Sequence, residues 1–528
     1  MPSPRDRARL LIEERLAAEH GTMGLERPAP VCMIYPSPYR VGMSALGFQT
    51  LYRILNTEGP GAHRAFLPDD WEPASLKWPA PKDPMLSYEQ RRPISDYRVL
   101  AMSMSYELEI TGVIRLLEGA GIPLYAKDRG PRDPILLAGG PLTTTNPSVL
   151  LPFVDILMFG EGEEQLPLAV DRILSNKHRS TAIEAVASMP HAIRGELEPG
   201  HFEAFPTQAK VDKSVLPAYS AITTPNTELA DMFLVEPERG CSRQCTFCVM
   251  RGPSTGGMRL LDMKEPLGLI PETAKRVGLV GAAVTDHPKL EELIDSVVQT
   301  GRGVGVSSLR ADRLTPELVA NLARGGYRQI TVASDGISQR LRDQLQRRIK
   351  GESILRAADL VRADPNVRGM KVYNMIGVPT ETEDDVDELI AFNQEIADKV
   401  RLTLTFSTFV AKQNTPLDGQ PFIGVKEAEA RLKKIRKALG KRVQIRPQSP
   451  RWAHVEYLVA QRGAESGHAA VQAVYGGGGY RAWIKAFERL EPLPRPLVFG
   501  DEALKARRAR RANEREEKAR LRVLPAGS

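Results

Sequence analysis

Residues 238–252 read ERGCSRQCTFCVMRG and bring three of the chain's four cysteines, Cys241, Cys245 and Cys248, into one short loop. A strand-like apolar run, MFLVE from Met232, comes directly before this loop. Thiolates are the soft ligands that iron-sulfur clusters select, and a four-iron cluster tied by three cysteines keeps one iron open. The spacing therefore predicts a cluster with a free coordination position at the end of a strand.

Three other uses of these cysteines compete with the cluster. Structural zinc needs a fourth ligand, yet the chain between His201 and His287 offers no further His or Cys. A redox pair would use Cys245 and Cys248 and leave Cys241 unexplained. A pure electron carrier usually has four thiolates. Spacing and strand context together favour the cluster.

The segment after the cysteines predicts a barrel. Apolar strand-like runs alternate with helical stretches such as PKLEELIDSVVQTG, whose apolar residues share one face. Six strand-helix units predict a partial (β/α)6 barrel of the TIM type, with catalytic groups at the carboxyl ends of the strands. The six runs begin at Met232, Gly278, Gly303, Gln329, Gly369 and Arg401.

The N-terminal part shows the same alternation from Val31 to about Leu174, which predicts a doubly wound, mostly parallel sheet. Ligands of such sheets bind at the carboxyl ends of the strands, where Ser103 to Glu107 and Gly139 to Thr145 would lie. The predicted division is an N-terminal helical extension (1–29), a Rossmann-like domain (30–188), a linker (189–228), a partial barrel (229–421), a mainly helical region (422–500) and a basic helical or disordered tail (501–528).

Composition narrows the class of protein. The 528 residues are 42% hydrophobic and 26% charged with a net charge of +7, as in soluble globular proteins. No apolar run reaches about 18 residues, so we expect no membrane contact and a cytoplasmic location. The tail from Lys505 to Arg522 is basic and is either a solvated helix or an arm that binds nucleic acid. Cys32, alone in VCMIYP, is typical of a buried structural thiol.

The sequence resembles the radical S-adenosylmethionine (SAM) superfamily, and more closely its branch with an N-terminal cobalamin-binding-type domain. The resemblance spans roughly Pro30 to Pro421 and includes PSPYRVGMSALGFQTLYRILN, AMSMSYELE, LLAGGP, FGEGEE, the cysteine motif, VGLVGAAVTDHP, SSLRAD and FVAKQNTP. It implies that the three cysteines hold a 4Fe-4S cluster that reductively cleaves SAM to a 5′-deoxyadenosyl radical. It also implies an external electron donor of the flavodoxin or ferredoxin type.

Carried over residue by residue, the resemblance places Phe247 against the adenine. The family usually has Gly-Gly-Glu after the second strand, whose backbone receives the amino group of SAM. Here Gly281, Ala282 and Ala283 stand there without the acid.

Further cofactor contacts come from the later strands. Ser307 and Arg310 resemble positions that meet the carboxylate of SAM or the substrate, while a surface ion pair with Asp312 is the alternative for Arg310. The ribose contacts would be Ser334 and Asp335. The remaining adenine contacts would be Ile376, Gly377 and Val410.

Asp286 and His287 are the only adjacent acid and histidine in the predicted barrel, just past a strand end. They are candidates for a proton shuttle. A helix N-cap before Pro288 is the alternative for Asp286.

The N-terminal domain departs from the family because Asp-x-His-x-x-Gly, which carries the cobalt-binding histidine, is missing. Ser103, Ser105 and Gly139-Gly140 still resemble later parts of that site. Cobalamin is therefore a possible cofactor without a protein histidine on cobalt, or the domain serves packing or substrate binding.

The function expected is radical chemistry on an unknown substrate, with methyl transfer as one form of it. A tRNA-modifying enzyme like the methylthiotransferases is an alternative, but these commonly carry a second cluster and only Cys32 remains to build one. A non-catalytic iron-sulfur scaffold or sensor is the other. Turnover of SAM by the reduced protein separates it from an enzyme.

Overall fold

The computed structural model describes residues 3–26, 28–69, 85–195 and 206–490. The predicted basic tail from residue 501 onward lies outside these ranges, as does His201. In the described part of the chain, none of the helices has the length and apolar character needed to cross a membrane.

The N-terminal sheet has six strands, and the predicted doubly wound arrangement is confirmed. Its strands are β1 (Val31–Pro38), β2 (Ala62–Leu67), β3 (Val99–Ser103), β4 (Ile135–Gly139), β5 (Ile156–Met158) and β6 (Ala192–Arg194). They lie in the order β2-β1-β3-β4-β5-β6, parallel except for β6, which pairs antiparallel to β5. The strand order reverses between β1 and β3, where such folds bind ligands. Strand β6 falls in the range predicted as linker and instead completes the sheet.

Both faces of this sheet are buried, because successive residues of each strand alternate between two apolar clusters. The helices of this part are α1 (Pro4–Ala17), α2 (Tyr39–Gly42), α3 (Leu46–Thr57), α4 (Ile110–Gly119), α5 (Gln165–Leu174) and α6 (Arg179–Ala187). The face that carries Cys32 and Ile34 packs against α4 and against the last helices of the described chain. Those helices are α15 (Pro450–Ala460), α16 (Glu465–Tyr475) and α17 (Tyr480–Glu488). The C-terminal region thus completes the core of the N-terminal domain.

The second sheet system contains all six predicted strands. Its strands are β7 (Met232–Val235), β10 (Arg276–Leu279), β11 (Gly303–Val306), β12 (Ile330–Asp335), β13 (Met370–Ile376), β14 (Leu402–Thr408) and β15 (Val443–Pro447). They form two parallel sheets, β11-β10-β7 and β12-β13-β14-β15, which a parallel bridge between Leu309 and Val332 connects. This order is consistent with the predicted partial barrel, to which β15 adds a seventh parallel strand.

Helices follow most of these strands and cover their outer face. They are α9 (Leu290–Gln299), α10 (Pro316–Arg324), α11 (Gln339–Gln344), α12 (Gly351–Ala363), α13 (Glu383–Lys399) and α14 (Val425–Leu439). Helix α9 buries the predicted apolar face, Leu290, Leu293, Ile294 and Val297. Helix α13 begins at a capping box between Thr382 and Asp385, as its acidic first turn favours. One continuous apolar core joins strands and helices.

A short hairpin supports the cysteine loop. It consists of β8 (Glu238–Gly240) and β9 (Met258–Leu260), which pair antiparallel. The loop between them holds α7 (Gly252–Thr255), and α8 (Lys264–Gly268) follows β9. The hairpin fixes both ends of the segment that carries the three cysteines.

Candidate active site

The cysteine loop leaves β8 through Gly240, which has φ +87°, a backbone conformation that L side chains rarely adopt. A Cβ at this position would lie 2.3 Å from the carbonyl oxygen of Gly257, the residue directly before β9. Within the loop, the Gly252 amide donates to the Arg243 carbonyl (2.7 Å), and the Cys241 amide donates to Thr255 Oγ1 (3.3 Å). The close approach of the hairpin strands therefore requires glycine at position 240.

The three thiols are shielded from solvent. Cys241 and Cys245 are buried, and Cys248 is half-buried. Burial raises the pKa of Cys241, with a further contribution from the nearby Cys245, and burial raises the pKa of Cys248 to about 11. The Arg243 amide hydrogen points at Cys241 Sγ (3.3 Å) and opposes this effect. Thiols of raised pKa bind metal only with loss of their protons, so we expect cluster loading to release protons.

The donor set fits the predicted cluster. Three cysteines on one loop are neighbours close enough to influence each other's pKa. Among the described residues, no three His, Cys, Asp or Glu side chains are placed to hold a single metal ion. A four-iron cluster binds each cysteine to a different iron, so its sulfurs need not meet at one point. Cys32 is fully buried in β1, away from this loop, as predicted for a structural thiol.

Asp286 anchors two arginines beside the cysteine loop. Its Oδ2 accepts from Arg243 Nε (2.6 Å), its Oδ1 also pairs with Arg243, and Arg310 Nε lies 3.5 Å from Oδ1. Burial raises the pKa of Asp286, but the two arginines outweigh it and hold the pKa below its ordinary value. Helix α9 begins at Leu290 with Lys289 as its N-cap residue, so the expected N-cap role of Asp286 is wrong. These contacts favour anchoring over proton transfer.

His287 is buried next to Asp286 but has separate partners. Its Nδ1 accepts from the Lys289 amide (3.2 Å), and burial lowers its pKa below the ordinary value. No hydrogen bond between the side chains of Asp286 and His287 is present in the described structure. Burial therefore disfavours the charged imidazolium, and the pair does not form a connected proton relay.

Arg310 forms the ion pair with Asp312 and also keeps a nitrogen free for the carboxylate of SAM, so both alternatives from the sequence apply to it. Its Nη2 donates to Asp312 Oδ2 (2.6 Å), so the ion pair exists, but the arginine side chain is only 7% exposed and does not lie on the surface. Its Nη1 is buried and has no hydrogen-bond partner among the described residues. A buried guanidinium with a free nitrogen can receive an anion such as the carboxylate of SAM.

At the end of β12, the predicted ribose contacts meet an arginine that the sequence did not indicate. Arg347 Nε lies 2.6 Å from Asp335 Oδ2. Burial raises the pKa of Asp335, and Arg347 opposes this shift. Ser334 Oγ donates to the Gly336 carbonyl (2.9 Å). A ribose would therefore share Asp335 with Arg347.

Arg347 belongs to a loop that contacts the cysteine segment directly. The Thr246 amide donates to the Leu345 carbonyl (3.0 Å), and Cys245 Sγ lies 3.9 Å from the Gln346 carbonyl oxygen. Gln346 and Arg348 both have positive φ, 53° and 55°, although neither is glycine. Such backbone strain clusters at functional sites. The loop places a cation next to Cys245.

The remaining predicted residues lie at the carboxyl ends of the barrel strands. Phe247 packs against the barrel core, Ser307 is exposed, and Ile376 is fully buried. The Gly377 amide donates to Glu381 Oε2 (2.8 Å). Gly281 and Ala282 follow β10, and Val410 follows β14. The structure brings these residues to one edge, and their contacts with SAM remain predictions.

Sequence reasoning missed Arg243, Arg347 and Glu238 as residues of this edge. The first two pair with Asp286 and Asp335, 43 and 12 positions away. Arg243 lies inside the cysteine motif, and this position and its charge are the sequence signal that could have indicated it as an active-site residue. The partners of the other two follow only from the fold.

Comparison with known proteins finds family models that match both halves of the chain. A family model for the N-terminal region of radical SAM proteins matches residues 47–195, and the model of the radical SAM superfamily matches residues 235–392. The two matches together cover more than half of the chain. An uncharacterised protein of Methanocaldococcus jannaschii is 26% identical over 424 residues, covering 78% of this chain and 83% of the relative.

Two solved structures show weaker similarity. The radical SAM methyltransferase TsrM from Kitasatospora setae, with cobalamin and a [4Fe-4S] cluster bound, has a TM-score of 0.49 and 15% identity, covering 76% of this chain and 75% of TsrM. The cobalamin-dependent SAM radical enzyme OxsB, with aqua-cobalamin and SAM bound, has a TM-score of 0.43 and 14% identity, covering 72% of this chain and 53% of OxsB. The cysteine loop lies within the second family-model match. The chain belongs to the radical SAM superfamily, and it is an enzyme that uses a 4Fe-4S cluster and SAM.

Proposed function

We propose that this enzyme transfers or rearranges a group on a second ligand, held between the mouth of the barrel and the ligand-binding edge of the N-terminal domain. The observation that carries the proposal is the position of Lys412, four residues after β14. Its Nζ donates to Glu107 Oε2 and to Glu456 Oε1, both at 2.6 Å. Glu107 follows β3, so this ion pair joins the carboxyl edges of the two sheets.

Amide contacts support the same arrangement. Asn414 Nδ2 donates to the Thr144 carbonyl (2.8 Å), and Asn146 Nδ2 donates to the Val459 carbonyl (2.7 Å) in α15. Ligands of parallel α/β sheets bind at the carboxyl ends of the strands. The facing edges support the proposal that SAM and a second ligand bind between them.

Polar groups at the N-terminal edge suit a hydrogen-bonding ligand. The hydroxyls of Tyr35 and Ser105 are 2.6 Å apart, and Glu109 Oε2 accepts from the Ser105 amide (2.6 Å). Burial raises the pKa of Glu109 to about 7. This carboxyl group therefore exists in both protonation states near neutral pH and can donate or accept a hydrogen bond.

When bound, the cluster and SAM supply the one-electron cleavage that generates a 5′-deoxyadenosyl radical. The chain's own residues hold the reactants and exclude water. Asp286 fixes Arg243 and Arg310 beside the cysteine loop, and Arg310 keeps a buried nitrogen for an anionic group. Because each cleavage consumes one electron, the proposal includes an external electron donor of the flavodoxin or ferredoxin type. It also includes a cytoplasmic location.

At the switch point between β1 and β3, the described structure does not present His63 to a corrinoid. At the switch point, a Cβ on Gly112 of α4 would lie 2.1 Å from the Pro36 carbonyl oxygen, so the helix lies directly against the segment after β1. His63, in β2, is fully buried and bonded to Tyr97 (2.6 Å). A corrinoid at this position would therefore be held without His63, and it would supply the methyl group for transfer.

The test is turnover by anaerobically reconstituted protein, with SAM that carries a deuterated methyl group. We expect dithionite-reduced protein to release 5′-deoxyadenosine, measured by mass spectrometry, and Cys245→Ala to release none. Cys32→Ala is the matched control and should behave as the parent protein. Protein that holds four irons but forms no 5′-deoxyadenosine would contradict the proposal and indicate a scaffold or sensor. Unlabelled S-adenosylhomocysteine alongside it, with the deuterated methyl group on a product, would identify methyl transfer.

A further inference from the structure

Glu238 has a buried carboxylate with one oxygen left without a partner. The residue lies in β8, three positions before Cys241, and is fully buried. Its Oε1 accepts from the Ala283 amide (2.8 Å), whereas its Oε2 has no hydrogen-bond partner among the described residues. Buried polar atoms are rarely unpaired in folded proteins, because desolvation without a hydrogen bond is costly. The free oxygen therefore indicates a donor supplied by a ligand.

The loop after β10 is shaped around this carboxylate. A Cβ on Gly281 would lie 2.2 Å from Glu238 Oε1 and 3.0 Å from the Glu238 carbonyl oxygen. Glycine at position 281 thus allows the carboxylate to lie directly against residues 281–283. The carboxylate lies against residues 281–283, none of which is acidic.

The charged neighbours of Glu238 leave it without a cation. Burial raises the pKa of Glu238 to about 7, and the nearby Glu236 and Asp286 add to this shift. Arg239 donates to both oxygens of Glu236 (2.7 and 2.8 Å), and Asp286 binds Arg243. In the described part of the chain, no Lys, Arg or His forms an ion pair with Glu238. A ligand that donates a hydrogen bond would satisfy the group that the protein does not.

We propose that Glu238 accepts a hydrogen bond from the α-amino group of SAM. It thereby provides, from the hairpin before the cysteines, the acid that is missing at residues 281–283. Arg310 complements it, since its free Nη1 can receive the carboxylate of the same amino-acid end, and both residues lie near Asp286. The inference concerns SAM itself and is independent of the second ligand proposed above.

The test compares two ligands that share the nucleoside. SAM carries the amino group, and 5′-methylthioadenosine lacks the whole amino-acid end. We expect Glu238→Gln to raise the dissociation constant of SAM by about ten- to a hundredfold, because a hydrogen bond to a charged group is lost. The constant for 5′-methylthioadenosine should not change. Both are measured by anaerobic equilibrium dialysis on protein of known iron content, with Glu265→Gln, an exposed glutamate, as the matched control.

A second variant separates binding from folding. Glu238→Asp keeps the charge but withdraws it from the loop, so we expect it to retain four irons and to lose affinity for SAM alone. An unchanged dissociation constant for SAM in Glu238→Gln would overturn the proposal. Equal losses for both ligands, or loss of iron in both variants, would overturn it as well, because the carboxylate would then only support the loop.

Discussion

Replacing Lys412 by methionine removes the cation that joins the two domain edges. Glu107, 1% exposed, and Glu456, 26% exposed, would then lie next to each other without a positive charge. Removing one partner of a buried ion pair costs about 3–5 kcal/mol, and the partial exposure of Glu456 favours the lower end, about 3 kcal/mol. Urea unfolding measures this difference, with the fluorescence of Trp452 and Trp483 in the C-terminal helices contributing to the signal.

The pH dependence of this loss has a definite sign. Burial raises the pKa of Glu456, and Lys412 opposes that shift. Without the lysine, the folded-state pKa rises further above its unfolded value, so the folded variant binds protons more tightly than the unfolded chain. Its stability deficit should therefore grow as pH rises from about 5 to 8 and shrink in acid. Adding Glu107→Gln should restore part of the lost stability, since one uncompensated charge disappears. A Lys412→Met variant within about 1 kcal/mol of the parent over this pH range would refute the reasoning.

Three further predictions concern the cofactors. Changing any one of the three cluster cysteines to alanine should abolish iron binding, whereas Cys32→Ala should keep about four irons per chain, measured by iron and sulfide analysis; iron loss only in the Cys32 variant would show that the ligand assignment is wrong. Asp335→Ala should weaken SAM binding by about ten- to a hundredfold; an unchanged dissociation constant would remove Asp335 from the ribose site. After incubation with hydroxocobalamin and gel filtration, we expect weak or no retention, and any retained cobalamin should show the visible spectrum of cobalt without histidine. Stoichiometric retention would contradict this and favour methyl transfer.

Most strands could be predicted from short apolar runs between glycines and amphipathic helices, although β2 and β6 were missed and the run from Gly278 covers only the last two residues of β10. The run MFLVE from Met232 contains β7, and the run GVGVSSL from Gly303 contains β11. Strand β15 lies in the range predicted as mainly helical, and it joins the barrel sheet beside β14. Pairing between distant segments leaves no trace in local periodicity.

The active-site residues also differ in whether local sequence or tertiary contacts determine their role. The cysteines were visible because their ligand chemistry sits within eight residues of sequence. The sequence indicates Asp286 as part of a proton shuttle because His287 follows it, yet its carboxylate binds Arg243, 43 residues earlier. Glu238 can be identified as a candidate ligand contact only from the fold, which places it against Gly281 and leaves one of its carboxylate oxygens without a hydrogen bond. Roles set by tertiary contacts need the structure.

The packing of the last helices on the first sheet has a consequence for biosynthesis. The apolar face of β1, β3 and β4 is covered partly by α15, α16 and α17, which leave the ribosome about 300 residues after β5. At about 5–20 residues per second, this face stays incompletely covered for roughly 15–60 s on a nascent chain. During that interval the cysteine loop is already synthesised and the barrel can close around it. The N-terminal domain is therefore completed only after α17 is synthesised, although it is made first, and its apolar face is a defined surface for a chaperone to protect until then.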